Sequence, residues 1–212
     1  MINNSKKCII FTGGVINNYN ELNINVNEKD YVICADSGYY HAKKLNVHVN
    51  ALIGDFDSLD EIPDDVDEII RYPKEKDDTD TMLAIKYALE KGHGYFEIYG
   101  AMGNRFDHAY ANIQSLNYLV ENNACGKIIT ESEEFFVIKN NSVTVEKKEG
   151  YVLSVFSYTN SAKGVSEKGV KYPLDNVVVT QDFPIGISNE ITDNFAEITV
   201  KDGKLLIIHL KK

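Results

Sequence analysis

Short apolar segments recur through the first 130 residues, and several of them stop at a glycine or an aspartate. Six are strand-like, and they occupy residues 8–12, 31–35, 51–53, 68–72, 95–100 and 127–130. Apolar residues three or four apart predict helices over residues 81–91 and 107–122, among the later segments. Buried strands that alternate with helices predict an α/β domain with a Rossmann-like, mostly parallel sheet.

The pattern changes near residue 131, beyond which strands follow one another without a helical period. Five segments are strand-like there, and they occupy residues 135–138, 142–146, 151–158, 176–180 and 196–210. Asp202 and Gly203 suit the two central positions of a type I′ turn, so we expect a hairpin at this point. The chain is therefore predicted to form two domains, an α/β domain over 1–130 and an all-β sandwich over 131–212.

Charge and composition exclude several classes of protein. The net charge of -10 argues against sequence-independent binding to nucleic acid or to an anionic membrane. Three widely separated cysteines suggest neither a disulfide framework nor a metal-binding cysteine cluster. We expect no secretory signal, because the apolar run near residue 8 is too short for one, and no apolar stretch approaches the roughly 20 residues that would span a bilayer. We expect a soluble, cytoplasmic protein.

Aspartates are concentrated where the predicted parallel strands end, which is where an open sheet binds its ligands. Asp36 follows the second strand, Asp55 and Asp57 follow the third, and Asp80 precedes a helix. On an extended segment, Asp55 and Asp57 would face one cation while Phe56 turns to the core. Magnesium prefers such carboxylate oxygens together with phosphates and water. The alternative is that these acids are only solvated or cap helices, as we expect for residues 60–67.

A glycine-containing loop over residues 100–108 follows the fifth strand and opens a helix. Glycines let backbone N–H groups approach phosphate oxygens, and a helix N-terminus favours anions. Arg105 can offer a planar fork to a phosphate. Asp107 can simply cap the helix, and a structural role for His108 is as plausible from residue type as a catalytic one. Gly13 and Gly14 are a second, weaker candidate for an anion-binding loop.

Six short motifs together resemble one known family. They are ADSG at 35–38, GDFDS at 54–58, KDDTD at 76–80, GNRFDH at 103–108 and, more loosely, KYPL at 171–174 and GISNE at 186–190. In this order and spacing, and with Asn112 after the fourth motif, the sequence resembles the thiamine pyrophosphokinase family over essentially its whole length. Two departures stand out, because many relatives have a second glycine where Asn104 stands, and a glycine where Ser37 stands.

The resemblance implies an activity and an assembly. Members of the family transfer pyrophosphate from ATP to thiamine with magnesium, giving AMP and thiamine diphosphate. They are homodimers in which the neighbouring subunit completes each active site. The N-terminal domain would bind ATP and magnesium, and the sandwich domain would bind thiamine and mediate dimerisation.

The resemblance also assigns roles to individual residues. It implies that Asp55, Asp57 and Asp80 bind the metal. The same three residues and Arg105 would be the catalytic residues. The expected nucleotide-binding residues are Asp36, Gly38, Ser58, Asp78, Thr79, Gly103, Asp107 and His108. The expected thiamine-binding residues are Tyr172, Ser188 and Asn189.

Several alternatives remain open at the level of sequence. Asp80 can act as the general base for the thiamine hydroxyl or only as a ligand. The same phosphate machinery would suit another hydroxymethyl heterocycle, such as a pterin. A phosphohydrolase built on Asp55 and Asp57 would release inorganic phosphate, and a non-catalytic sensor would bind thiamine or nucleotide without turnover.

Overall fold

The computed structural model describes residues 6–22, 24–103 and 105–212. The chain divides into two compact units, unit 1 up to Glu131 and unit 2 over Ser132–Lys212. None of the helices in the described part of the chain is long and apolar enough to cross a membrane.

Unit 1 is built on a parallel sheet. Its strands are β1 (Lys6–Phe11), β2 (Tyr31–Ala35), β3 (Val49–Gly54), β4 (Val66–Arg71), β5 (His93–Tyr99) and β6 (Cys125–Ile129). They lie in the order β6-β5-β1-β2-β3-β4, and every pairing between them is parallel. Because the chain adds β2 on one side of β1 and β5 on the other, a crevice opens beyond the carboxyl ends of β1 and β5. The predicted α/β fold is confirmed.

Three α-helices accompany this sheet in the described part of unit 1: α1 (Tyr39–Lys44), α2 (Asp80–Glu90) and α3 (Phe106–Glu121). The periodic segments predicted α2 and α3 to within one or two residues. Thr79 caps α2, since its hydroxyl accepts a hydrogen bond from the backbone N–H of Met82 at 3.2 Å. The sequence did not predict α1, because six residues are too few to display a helical period.

Unit 2 is an antiparallel sandwich, as predicted. Its strands are β7 (Glu133–Lys139), β8 (Ser142–Glu146), β9 (Tyr151–Ser157), β10 (Ser161–Lys168), β11 (Leu174–Thr180), β12 (Gly186–Asn189), β13 (Phe195–Thr199) and β14 (Lys204–Lys211). Within the unit, β12-β9-β14-β7 lie side by side and β11-β10-β13-β8 form a second sheet. Leu153, Val165, Ile198, Leu205 and Ile207 are buried in one apolar cluster of this unit.

The hairpin predicted at Asp202 and Gly203 is wrong. β13 pairs with β8 and β10, whereas β14 pairs with β7 and β9, so the two strands belong to different sheets. The segment between them therefore crosses from one sheet to the other. The sequence also missed β10, whose apolar pattern is broken by Gly164, and β12, which has only four residues.

One carboxylic acid lies inside unit 2. Glu167 on β10 is 0% exposed, and its Oε2 accepts a hydrogen bond of 3.2 Å from Nδ2 of Asn189. Burial raises the pKa of Glu167 to about 7, against a smaller lowering by the Asn189 hydrogen bond. The folded chain thus keeps a proton on Glu167 at pH values where the unfolded chain has released it.

Replacement of Glu167 by Gln should alter how stability depends on pH. Between about pH 4.5 and 7, folded wild type binds one more proton at this site than the unfolded chain, so its free energy of unfolding falls as pH rises. Glu167→Gln lacks this loss and should gain roughly 3 kcal/mol relative to wild type from pH 4.5 to 8. Denaturant titrations at several pH values measure the difference. The exposed Glu197→Gln is the control, and parallel pH profiles for wild type and Glu167→Gln would contradict the prediction.

Candidate functional site

Unit 1 carries a cavity of about 880 Å³ beyond the carboxyl ends of its strands. Its walls are the loops that follow β1, β2, β3, β4 and β5, together with the first turns of α2 and α3. A volume of this size is typical of a site that encloses a small molecule. The cavity lies where the strand order places the crevice of an open parallel sheet.

Two glycine loops meet at the back of this cavity. The carbonyl oxygen of Gly100 accepts a hydrogen bond of 2.7 Å from the N–H of Gly14 and one of 2.5 Å from the hydroxyl of Thr12. A Cβ added to Gly14 would lie 2.1 Å from that same oxygen. The two loops can approach this closely only because position 14 has no side chain.

His41 and Asn112 fix these loops from either side. His41 Nε2 lies 2.7 Å from the carbonyl oxygen of Gly14, and Nδ1 lies 2.6 Å from the hydroxyl of Tyr19. Because a carbonyl only accepts, Nε2 carries the proton, and in the neutral ring Nδ1 accepts from Tyr19. Burial lowers the pKa of His41, which favours that neutral form. On the other loop, Asn112 of α3 donates to the carbonyl oxygen of Ala101 at 2.7 Å.

Three aspartates lie together at the carboxyl ends of β2 and β3. Asp36, Asp55 and Asp57 each offer a carboxylate oxygen, and these oxygens all lie within 4.8 Å of one another. Oδ1 of Asp36 is buried and has no hydrogen-bond partner among the described residues. Burial raises the pKa of Asp36, and the charges of Asp80 and Asp55 add to this rise. We refer to Asp36, Asp55 and Asp57 as the aspartate trio.

The backbone that carries Asp55 and Asp57 is not extended, contrary to expectation. Phe56 has a φ of 68°, and the N–H of Asp57 donates to Oδ1 of Asp55 at 3.1 Å, so the chain turns between the two acids. The buried ring of Phe56 does face the core, as predicted. The turn brings the two carboxylates close because it folds the backbone, whereas an extended strand would align them by alternation.

Asp80 lies in the same cavity but is held by a lysine. Lys76 Nζ is 2.7 Å from Oδ1 of Asp80 and 3.8 Å from Oδ2 of Asp55, and the Lys76 side chain is only 13% exposed. Lys74 makes a similar contact at the rim, with Nζ 2.5 Å from Oδ2 of Asp57, and lowers the pKa of that carboxyl. These lysines were not among the site residues expected from the sequence, although two cations in an acid-rich loop before a helix are a signal of such a role.

The loop after β5 brings Gly103, Arg105 and His108 to the cavity wall. The Arg105 side chain is 69% exposed, and its guanidinium forms two hydrogen bonds with Asp107, from Nη2 at 2.5 Å and from Nε at 3.2 Å. Arg105 lowers the pKa of Asp107. Asn104, whose role the sequence left open, lies outside the described residues.

The other expected nucleotide-binding residues fall into two groups. Ser58, Asp78 and Thr79 line the cavity, and Asp78 is paired with Lys86 at 2.6 Å. Gly38 is buried behind it, where an added Cβ would lie 2.1 Å from the carbonyl oxygen of Phe11. Gly38 therefore serves the packing of the loop after β2 against β1.

The residues expected to bind thiamine all lie in unit 2. Tyr172 is 64% exposed, and Ser188 is exposed with a φ of 56°. The N–H of Ser188 donates to the Ser154 hydroxyl at 3.0 Å. Asn189 is buried, and its amide group is hydrogen-bonded within the protein. Unit 2 has a cavity of its own beside Tyr172 and Asn189, of about 140 Å³.

The cavity of unit 1 combines three kinds of group that suit a nucleoside polyphosphate. Carboxylate oxygens at this spacing suit a hard divalent cation. Glycine loops and the N-termini of α2 and α3 suit phosphate oxygens. Lysine and arginine at the rim add positive charge in an otherwise acidic chain.

Comparisons with known proteins identify the same family for both units. Residues 22–128 match the family model of the thiamin pyrophosphokinase catalytic domain, and residues 140–205 match that of the thiamin pyrophosphokinase vitamin B1 binding domain. The chain is 29% identical to thiamine pyrophosphokinase of Bacillus subtilis over 205 residues, 94% of this chain and 96% of that protein.

Solved structures agree with the sequence comparison. A crystal structure of thiamine pyrophosphokinase from Bacillus subtilis has a TM-score of 0.88 at 27% identity and covers 98% of this chain and 100% of that one. A thiamin pyrophosphokinase family protein from Enterococcus faecalis has a TM-score of 0.81 at 25% identity, with coverage of 98% and 100%.

The contact between the glycine loops predicts the effect of a small substitution. Gly14→Ala should lower the free energy of unfolding by about 1–3 kcal/mol, because the new methyl group would overlap the Gly100 carbonyl. Chemical denaturation measures the change. Gly103→Ala is the matched control, since a Cβ there would lie 3.5 Å from its nearest neighbour. Equal stability of the two variants would show that the loops are not packed as described.

Proposed function

The chain belongs to the thiamin pyrophosphokinase family, and we propose that it makes thiamine diphosphate by transferring the pyrophosphoryl group of ATP to the hydroxyl of thiamine. AMP is the second product. The observation that carries the proposal is the meeting of carboxylates, glycine loops and cationic side chains in one cavity of the unit that matches the catalytic domain. We assign ATP and metal binding to the domain of residues 1–130, and thiamine binding and dimerisation to residues 131–212.

The aspartate trio fits a magnesium ion by the chemistry of its donors. All three groups are carboxylates, which supply the hard oxygen ligands that magnesium prefers. The buried, unpartnered Oδ1 of Asp36, within the described part of the chain, supports this assignment because such an atom is costly to leave without a counter-charge. We therefore assign the metal to Asp55 and Asp57, add Asp36 to them, and keep Asp80 beside the trio.

The remaining cavity residues suit the nucleotide. We assign phosphate contacts to Arg105 and to the backbone of Gly103, and we add Lys74 and Lys76 to this group. Asp78, Thr79, Ser58 and His108 line the same cavity and are assigned to nucleotide binding. Gly38 and Asp107 are assigned indirect roles. Gly38 allows the loop after β2 to pack, and Asp107 orients the Arg105 guanidinium.

The reaction requires a bond from the thiamine oxygen to the β-phosphorus, and cleavage of the bond between that phosphorus and the oxygen that leaves with AMP. Phosphoryl transfer depends on positioning and on neutralisation of charge more than on covalent chemistry. Bound magnesium supplies part of that neutralisation at the phosphates. Lys76 and Arg105 place further positive charge at the cavity wall. Asp80 lies in the same cavity outside the trio, and we assign it to the hydroxyl proton.

The assembly and the location follow from the family and the composition. We propose a homodimer whose active sites lie at the subunit interface, with Tyr172, Ser188 and Asn189 of unit 2 on the thiamine side. Exposed apolar residues of unit 2, among them Tyr172, Phe183, Ile185 and Ile187, support such an interface because they would otherwise face water. We propose the cytoplasm as its location, where ATP is available and free cysteines such as Cys8 and Cys34 stay reduced.

A product assay tests the proposed function. The protein with ATP, magnesium and thiamine should form AMP and thiamine diphosphate in equal amounts, and chromatography detects both. Inorganic phosphate without an acceptor would instead indicate a phosphohydrolase. Faster turnover with a hydroxymethyl pterin would indicate a different acceptor, and thiamine binding without AMP would indicate a sensor.

Asp57→Asn should lower turnover by roughly 100-fold or more, because it removes one charged oxygen from the trio without changing side-chain volume. It should also weaken the binding of Mn²⁺, used as a calorimetric probe of the metal site, while the melting temperature stays near that of wild type. Asp64→Asn is the control, since Asp64 is exposed in the same chain segment and does not belong to the aspartate trio. Normal turnover of Asp57→Asn at saturating magnesium would contradict the assignment.

A further inference from the structure

The small cavity of unit 2 contains a buried acid that the proposed mechanism does not use. Its volume is about 140 Å³, and its lining includes Glu167, Tyr172, Ile185, Ile187 and Asn189. Most of the lining is apolar, so the polar atoms that face it decide which ligands it can accept. Glu167 is the acidic residue of this lining.

Glu167 has one oxygen engaged and one without a partner. Oε2 accepts from Nδ2 of Asn189 at 3.2 Å, which fixes the plane of the carboxyl group. Oε1 is buried and forms no hydrogen bond with any residue that the structure describes. A buried acceptor without a donor is destabilising by the cost of its desolvation, so a donor brought by a ligand would be bound favourably.

Asn189 cannot supply the missing contact, because its amide group is fully used. Its Oδ1 accepts from the N–H groups of Tyr172 and Glu190, each at 3.0 Å. Its Nδ2 donates to the carbonyl oxygen of Tyr172 at 2.9 Å as well as to Glu167. Asn189 is therefore a positioning residue, which holds the Tyr172 backbone and the Glu167 carboxyl in register. Oε1 of Glu167 is left without a donor among the described residues.

Gly186 keeps the space beside Oε1 open. A Cβ added at this position would lie 3.3 Å from Oε1 and 2.5 Å from the carbonyl oxygen of Val155. Any side chain at position 186 would therefore crowd the acceptor. Tyr172 and Ile187 line the same cavity and supply apolar walls beside the carboxyl group.

The ligand that fits is a flat heteroaromatic ring that carries an amino group. The ring would contact the apolar walls, and its N–H would donate to Oε1. Of the two rings of thiamine, only the pyrimidine carries an amino group, whereas the thiazolium carries the positive charge and the hydroxyethyl arm. Burial raises the pKa of Glu167 to about 7, and both a donor contact and a cationic substrate would favour its charged form.

We propose that Glu167 is a specificity-determining residue of the thiamine site, whose Oε1 accepts a hydrogen bond from the amino group of the aminopyrimidine ring. This inference rests on the proposed function, since thiamine is the acceptor that carries such a ring. It adds a recognition atom that the expected residues Tyr172, Ser188 and Asn189 do not supply.

Glu167→Gln converts the acceptor into a donor without changing the side-chain size. Because Asn189 donates to the Oε2 position, the amide oxygen of Gln should take that position and its NH₂ group should replace Oε1. The variant should then prefer the 4-oxo analogue of thiamine, which offers a carbonyl oxygen in place of the amino group. The expected measurement is a fall of about 10- to 100-fold in the kcat/KM ratio of thiamine to 4-oxo analogue. Glu197→Gln should leave that ratio unchanged.

The ratio separates this proposal from its alternatives, because a partly folded or generally impaired variant loses both activities together. An unchanged ratio in Glu167→Gln would overturn the proposal, whether both activities are retained or both fall by the same factor. The second result is expected if Glu167 contacts the thiazolium, which both acceptors share. Wild type that forms no AMP with thiamine would overturn the proposed function instead. In that case calorimetry with 4-amino-5-hydroxymethyl-2-methylpyrimidine still tests the cavity. Binding to wild type and weaker binding to Glu167→Gln would support the proposal, and equal binding or no binding would overturn it.

Discussion

The contact at the carbonyl oxygen of Gly100 is the constraint on which the catalytic unit depends. This single acceptor joins the loop after β1 to the loop after β5, since Thr12 and Gly14 both donate to it. The two strands are neighbours at the point where the strand order changes direction, so their loops form the back wall of the crevice. His41 holds the same loop from α1, and its neutral ring satisfies one donor and one acceptor. The geometry of the cavity therefore depends on a backbone contact that only glycine permits.

Charge in the cavity is partly offset locally, although the whole chain is strongly acidic. Lys74 and Lys76 lie against Asp57 and Asp80, so the acids are partly neutralised before any substrate is bound. A polyphosphate that entered would meet these cations, and a metal ion on the trio would offset the carboxylates. This arrangement explains how a chain with a net charge of -10 can attract a polyanion to one place.

In unit 2, the residues around the cavity are held by hydrogen bonds, whereas ion pairs hold those around the cavity of unit 1. The amide group of Asn189 satisfies two backbone donors, one backbone carbonyl and one carboxylate. It thereby fixes the segment of Tyr172 against β12. Polar groups in an apolar interior specify a single arrangement only when they are satisfied, and the one unpartnered oxygen described in this network belongs to Glu167. The same network therefore stabilises the fold through Asn189 and leaves Oε1 of Glu167 for the proposed contact with a ligand.

The sequence by itself determined the alternation of strands and helices, the change to an all-β part near residue 131, and the aspartates and glycines at strand ends. These features depend on periodicity and turn chemistry, which are local properties of the chain. Tertiary structure decided the rest. Asp202 and Gly203 connect two sheets because β13 pairs with β10 and β14 pairs with β9. Which strands pair depends on contacts between segments that are distant in sequence. Asp36 meets Asp55 and Asp57, Lys76 approaches Asp55, and His41 and Glu167 have their partners, because residues distant in sequence come together only when each unit folds.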